Sequence, residues 1–163
     1  MWIGTPDRVG SYRHFPLETE IVSRSERLLL PRHLYIEMVA HAQAELPNEC
    51  CGLLAGVFEP GILRVEKRHA LVNEAASPIE YRSEPHSMFQ AVKAMRPDGH
   101  EILAIYHSHP TSAPTPSRTD LERNYSPEVV NFIISLHGAE PIMRGWWLTD
   151  AGFEEAAWEI VEA

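Results

Sequence analysis

The pattern of apolar and polar positions divides the chain after residue 26. Residues 1–26 mix Gly, Pro, Arg, Ser and Glu with no sustained period. This predicts an N-terminal extension, either a mobile tail or an edge strand around Glu20–Ser23. Residues 27–163 read as one folded domain. Leu28–Leu30 is a short apolar run suited to a buried strand, and Pro31 suits a first helical position. Leu34, Met38, Ala42 and Leu46 recur every four residues with Tyr35 and Val39 beside them. That spacing predicts an amphipathic helix over Arg32–Leu46, ended by Pro47. Cys51–Phe58 is small and apolar, Leu63–His69 alternates, and Glu59-Pro60-Gly61 supplies turn chemistry between them, a hairpin signal.

Leu71–Tyr81 reads as a loop with a strand at its end. Pro85 opens a second helix with Met88, Val92 and Met95 on one face and Phe89 beside it, stopped by Pro97-Asp98-Gly99. Glu101–Tyr106 is a buried-strand run, Thr111–Pro116 a loop, and Ser117–Tyr125 a short helix. Val129–Leu136 and Gly145–Leu148 read as strands, while Gly152–Val161 suits strand or helix. The mixed order predicts an α/β fold with a mixed, mainly antiparallel central sheet.

Composition narrows the class. The 163 residues are 44% hydrophobic, enough for one domain with a real core. Fourteen Lys plus Arg against 23 Asp plus Glu give a net charge of -9, which repels polyphosphate, so nucleic acid is not expected as a partner. A basic face on a partner protein fits better. The cysteines, Cys50 and Cys51, are adjacent, and neighbours cannot easily close an ordinary disulfide, which points to a reducing compartment. The N-terminus has no apolar h-region and no apolar run approaches the ~20 residues of a membrane span. We therefore expect a cytoplasmic protein with no membrane contact. Nine residues are His and only four are Asp, namely Asp7, Asp98, Asp120 and Asp150.

One of those Asp residues falls in an unusual segment, Tyr106-His107-Ser108-His109-Pro110 followed by Ser117-Arg118-Thr119-Asp120. Two His at i and i+2 on an extended segment project to the same side. Their nitrogens can converge on one ion at about 2.0–2.1 Å. Asp120 follows on the first turn of a helix. Two imidazoles and a carboxylate leave a position open for water, as a catalytic zinc site requires, and such a metal lowers the water's pKa to about 7. From composition alone the pattern arises roughly once in 10⁴ chains. A bland reading coexists: Ser117-x-x-Asp120 resembles a capping box, and Asp120 can cap with one oxygen and ligate with the other.

A second segment, Glu49-Cys50-Cys51-Gly52-Leu53-Leu54-Ala55-Gly56, matters in combination with the first. Together they give Glu-x-Cys-Gly-x-Leu-x-Gly and then His-Ser-His-Pro-x6-Ser-x-x-Asp. This pair resembles the JAMM (MPN+) metalloproteases, from about Leu28 to the C-terminus. That family includes proteasome-lid and endosomal deubiquitinases and small bacterial and archaeal relatives, and the chain is most similar to the short members. The resemblance implies the JAMM/MPN (cytidine deaminase-like) fold, a curved mixed sheet flanked by helices. It implies one Zn2+ per chain on His107, His109 and Asp120, with Glu49 as general base and Ser117 as donor to the tetrahedral oxyanion. It further implies hydrolysis of a peptide or isopeptide bond after the C-terminal Gly-Gly of a ubiquitin-like protein, or trimming of a sulfur-carrier tail. Amide hydrolysis needs such a proton shuttle and such a donor.

Two other classes remain open. Two His and one carboxylate also make the facial triad of non-haem iron enzymes. An interaction module with a structural metal is the other, although closed structural sites want four protein ligands and no fourth Cys or His has suitable spacing. Among the remaining residues, Cys51 is expected in the core, Cys50 partly exposed and oxidisable, and Gly52 and Gly56 at close strand packing. Trp146 and Trp147 are expected as one core and one semi-exposed aromatic. Ile79–Arg82 is a candidate edge to receive an extended tail. His14, His33, His41, His69, His86, His100 and His137 receive no metal.

Overall fold

The computed structural model describes residues 25–124 and 126–162, so the expected tail or edge strand around Glu20–Ser23 lies outside the described residues. The described chain runs β1 (Arg27–Pro31), α1 (Arg32–Ala44), β2 (Cys51–Glu59), β3 (Ile62–Leu71), α2 (Pro85–Met95), a 3-10 turn (Arg96–Asp98), β4 (Glu101–His109), α3 (Arg118–Glu122), β5 (Val130–Ser135), β6 (Ile142–Thr149), β7 (Gly152–Glu155) and β8 (Ala157–Val161). The strands form one sheet in the order β7-β6-β5-β4-β2-β3-β1-β8. Pairing is antiparallel for β2 with β3 and β4, and for β6 with β5 and β7. It is parallel for β1 with β3 and β8, and for β4 with β5. The expected mixed, mainly antiparallel sheet is therefore observed.

The ends of the sheet reveal its shape. β7 and β8 lie at opposite edges, yet only Ala156 separates them in sequence. A flat sheet of this width would span roughly 34 Å at about 4.8 Å per strand, and one residue reaches about 3.5 Å. The sheet must curl until its edges approach. Ala156 N donates to Gly145 O at 2.8 Å, and Trp158 of β8 packs edge-on to Phe132 of β5 with centroids 5.2 Å apart. The curl also shields strand edges from foreign pairing.

Helices cover both faces. α1 buries Leu34, Met38 and Ala42 against Leu54, Tyr106, Phe132 and Ile134. On the opposite face α2 buries Ala91 and Met95 against Cys51, Leu53 and Leu71, and Leu121 of α3 packs on Ile133, Trp146 and Leu148. α2 is well defined at both ends: the Glu84 carboxylate accepts from His86 N (2.9 Å) and Ser87 N (2.6 Å), Pro85 takes the first turn, and Gly99 closes the 3-10 turn in the left-handed region.

Several expectations change. Pro31 ends β1 and α1 begins at Arg32 and closes at Ala44, so Leu46 lies past the helix and is exposed. On α2, Met95 is buried and Met88 packs with it as expected, Ala91 joins them, and Phe89 beside that stripe is 60% exposed. Residues 152–161 are two strands, not one element. Cys50 is not partly exposed: it sits at 1% beside Cys51 in the core, and burial pushes its thiol up to about 11. Both Trp146 and Trp147 are buried, since the pleat points them to opposite faces of β6 and each face has its own cluster.

The two glycines of β2 do permit close packing. A Cβ on Gly52 would run into the ring of Tyr106, and one on Gly56 would run into the carbonyl of Arg64 on β3. Backbone cannot yield as a flexible side chain can. We expect Gly56→Ala to cost about 2–3 kcal/mol, read as a lowered urea midpoint, while Gly138→Ala, which meets only an ordinary contact at 3.8 Å, stays within about 0.5 kcal/mol of the parent.

Candidate metal centre

The site grows from the last turn of the pleat in β4. Tyr106 and Ser108 point toward α1, while His107 and His109 point to the other face. Ser108 Oγ accepts from Cys50 N at 2.8 Å, and Ser108 N donates to Cys50 O at 3.2 Å, locking the end of β4 to the start of β2. Both His side chains are almost fully buried. His109 Nδ1 lies 2.8 Å from the Ala113 carbonyl. A carbonyl only accepts, so Nδ1 carries the proton and Nε2 presents its lone pair.

Asp120 reaches the same point from α3. Ser117 caps that helix: its Oγ accepts from Asp120 N at 3.1 Å, and Ser117 N donates to Asp120 Oδ2 at 2.7 Å. The capping box thus holds the carboxylate in one orientation, with Oδ1 3.2 Å from His107 Nε2 and Oδ2 3.3 Å from His109 Nε2. The two Nε2 atoms are 3.1 Å apart. Ligands held at about 2.0–2.1 Å in a tetrahedron stand about 3.3 Å from one another. Each imidazole nitrogen thus lies about one tetrahedral edge from the other and from a different Asp120 oxygen, and one ligand atom from each of the three residues falls within 4.8 Å of the others. They are the one group of three His, Cys, Asp or Glu gathered this way among the described residues. The arrangement is compatible with a metal site. Burial alone would raise the Asp120 carboxyl, but the facing imidazoles and the Ser117 amide overcome it and hold it far below the usual carboxylate range.

Glu49 is 3% exposed and its Oε2 has no hydrogen-bond partner among the described residues. Burial pushes its carboxyl up to about 8; the nearby His109 opposes the rise, and Asp120 and Glu80 add to it. An unpartnered buried carboxylate oxygen is costly and marks a place reserved for something else. The hydroxyl of Ser117 accepts the capping bond, which leaves its proton free to donate outward.

Sequence reasoning missed two residues of this site. Tyr81 stacks on His107 with centroids 4.6 Å apart and planes 27° apart, walling the imidazole from solvent. Asn73 organises the preceding loop: Nδ2 donates to the carbonyls of Glu49 and Glu80, each at 3.1 Å, and Oδ1 accepts from Ala75 N and Arg82 N. No local pattern marks either one. Ile79–Arg82, expected as an open edge, is instead part of this loop. Arg82 N is held by Asn73 and its carbonyl accepts from Glu74 N, so its backbone is already paired.

A trough of about 430 Å³ leads to the cluster along the face of β4. Ile102, Ile105 and His107 form its floor, Met88 and Tyr81 stand on the α2 side, and Arg123 and Asn124 on the α3 side. The size falls in the range of ligand clefts.

Comparison with known proteins places this geometry. A family model described as prokaryotic homologs of the JAB domain matches residues 31–149. The CysO-cysteine peptidase of Mycobacterium tuberculosis is 31% identical over 138 residues, covering 83% of this chain and 92% of its own. A probable TtuB-protein conjugate cleaving protease of Thermus thermophilus is 40% identical over 96 residues, covering 58% of this chain and 62% of its own. A solution structure of a protein from Desulfitobacterium hafniense superposes with a TM-score of 0.78 at 33% identity, covering 83% of this chain and 94% of that one.

The displaced Glu49 carboxyl gives a test of its environment in chelator-treated protein. Unfolded, it ionises near its ordinary 4.5; folded, it keeps its proton to about 8. Its contribution is therefore full below about pH 4.5 and is lost as pH rises through 8. The parent should lose stability relative to Glu49→Gln across that window, by a few kcal/mol at most. Parallel urea stability profiles of the two proteins between pH 5 and 8 would show that Glu49 is not buried as described.

Proposed function

The chain belongs to the family of prokaryotic homologs of the JAB domain, and from that premise we propose that it is a zinc-dependent peptidase or isopeptidase. Its substrate is the bond that follows the C-terminal Gly-Gly of a ubiquitin-like or sulfur-carrier protein. The observation that carries this reading is the trio His107, His109 and Asp120, with one ligand atom from each within 4.8 Å of the others, beside a buried Glu49 oxygen with no partner among the described residues. The names of the relatives, a peptidase and a conjugate-cleaving protease, support the same chemistry. The catalytic domain is residues 27–163, with 1–26 an extension to it. We place the protein in the cytoplasm, with neither membrane nor nucleic acid as a partner. No helix among the described residues is long and apolar enough to cross a membrane.

His107, His109 and Asp120 hold the zinc. When bound, zinc lowers the pKa of a water and polarises the amide carbonyl. Glu49, ionised where a bound dication would oppose the upward pull of burial, would take the proton of the attacking water on its unpartnered oxygen and pass it to the leaving amine. Its wall of Tyr81, Asn73-ordered backbone and strand ends keeps bulk water from competing for that proton. Ser117 donates its hydroxyl proton to the oxygen that becomes negative; removing such a donor costs roughly 10²–10³ in rate. The trough receives the extended tail, and the diglycine reaches the cluster because nothing projects from its Cα atoms.

The decisive experiment incubates zinc-loaded protein with ubiquitin-like proteins carrying short C-terminal extensions and follows intact mass. We expect loss of the residues after Gly-Gly; unchanged masses across the set would reject the assignment. Metal analysis accompanies it, and iron in place of zinc would favour the facial-triad reading. His109→Ala should retain no stoichiometric metal. Glu49→Gln should keep its zinc and lose at least about 100-fold in turnover, with Ser117→Ala losing less. Full turnover by Glu49→Gln would remove it from the role of base.

A further inference from the structure

The walls of the trough are joined near its inner end. Arg123 follows the last turn of α3, where its N–H donates to Thr119 O at 3.0 Å. Its guanidinium Nη1 donates to Glu80 Oε2 at 3.0 Å, across 43 positions of sequence. Glu80 lies behind the opposite wall and precedes Tyr81, which lines it and whose ring stacks on His107. The backbone beneath Glu80 is not loose, because its carbonyl is held by Asn73, the same side chain that holds the carbonyl of Glu49. One ion pair therefore ties the wall carrying Asp120 to the wall carrying Tyr81, next to the metal ligands.

We propose that the Glu80–Arg123 ion pair is a clamp that sets specificity for diglycine, narrowing the inner end of the trough so that residues bearing a Cβ are rejected there. This rests on the peptidase reading above. Both side chains are part-exposed, at 38% and 46%, so the pair is solvent-screened and opens readily to admit a chain from the side. Once re-formed, it draws Tyr81 and α3 together and leaves width for backbone alone. Farther out the floor of Ile102 and Ile105 is apolar and unclamped, so larger apolar side chains upstream of the diglycine are accepted. Discrimination arises from the steric penalty against the wrong tail, not from new contacts to the right one.

The test compares a ubiquitin-like protein ending in Gly-Gly before the scissile bond with the same protein ending in Ala-Ala. The enzymes are the parent, Glu80→Ala, Arg123→Ala and the exchanged pair Glu80→Arg/Arg123→Glu, each with zinc content measured. The parent should prefer diglycine by about 100-fold or more in kcat/KM. Each single variant should cut that preference about threefold, mainly by lowering KM for the dialanine tail, and the exchange should restore it. Affinity for the cleaved dialanine tail peptide, measured by calorimetry, should rise in the single variants in parallel. Diglycine cleavage with an unmoved preference overturns the clamp and leaves the peptidase reading intact. A shifted preference that the exchange does not restore overturns the ion pair as its cause. No cleavage of either tail by the zinc-loaded parent overturns both readings together.

Discussion

The register of β4 is the constraint on which the site depends. Side chains alternate along a strand, so a slip of one residue would turn His107 and His109 into the core and expose Tyr106. Tyr106 prevents this. Its ring fills the space that Gly52 leaves open across the β2 pairing, and the ring is fully buried. Its hydroxyl lies 2.8 Å from His41 Nδ1 and accepts from Arg68 at 2.9 Å, and Arg68 also donates to Glu37. Buried polar groups lose much when a partner is removed, so this network specifies one register rather than several. The contacts that aim His107 and His109 at the candidate site thus lie on the far side of the sheet.

The second half depends on a helix cap. α3 has five residues, too short to hold itself by propensity. Its capping box compensates at its start and also orients Asp120. The carboxylate oxygen that accepts from Ser117 N is fixed, and the other is directed at His107. The bonds that cap α3 also aim Asp120 at the two imidazoles, so the capping reading and the proposed ligand role make use of one geometry. His109 is similarly fixed by the Ala113 carbonyl, so a stiff proline-rich loop sets the tautomer that leaves Nε2 free.

What could be seen in the sequence follows from the range of the interactions. His107 and His109 are two apart, and Ser117 and Asp120 three apart, so local periodicity exposed them. The hairpin of β2 and β3, the strand β4 and most of α1 were legible for the same reason. Tyr81 and Asn73 were not, because their roles are contacts across the fold: a ring on His107 and hydrogen bonds to Glu49 and Glu80. The sheet's closure through Ala156 is likewise non-local, as is the burial of both tryptophans. Cys50 beside an acidic residue looked half-exposed. The pairing of Cys50 N with Ser108, 58 positions away, draws it inside. Periodicity carries Leu46 onto the buried stripe of α1, but the helix closes at Ala44 and leaves it exposed.

The cost of Glu49 ties these observations together. A buried carboxyl that has given up water without gaining a partner opposes folding at neutral pH, and no local sequence rule would place it there. The chain tolerates it because the surrounding framework holds it from several sides. Its N–H donates to Ser77 O at 2.8 Å, its carbonyl is held by Asn73, and the next residue is stitched to β4 through Ser108. The backbone is thus fully paired at a position where the side chain is left wanting. A carboxyl needed only for structure would have been given a hydrogen bond or a lysine. Leaving it unsatisfied while fixing its backbone keeps its basicity high and its position constant, which is the combination a proton shuttle needs.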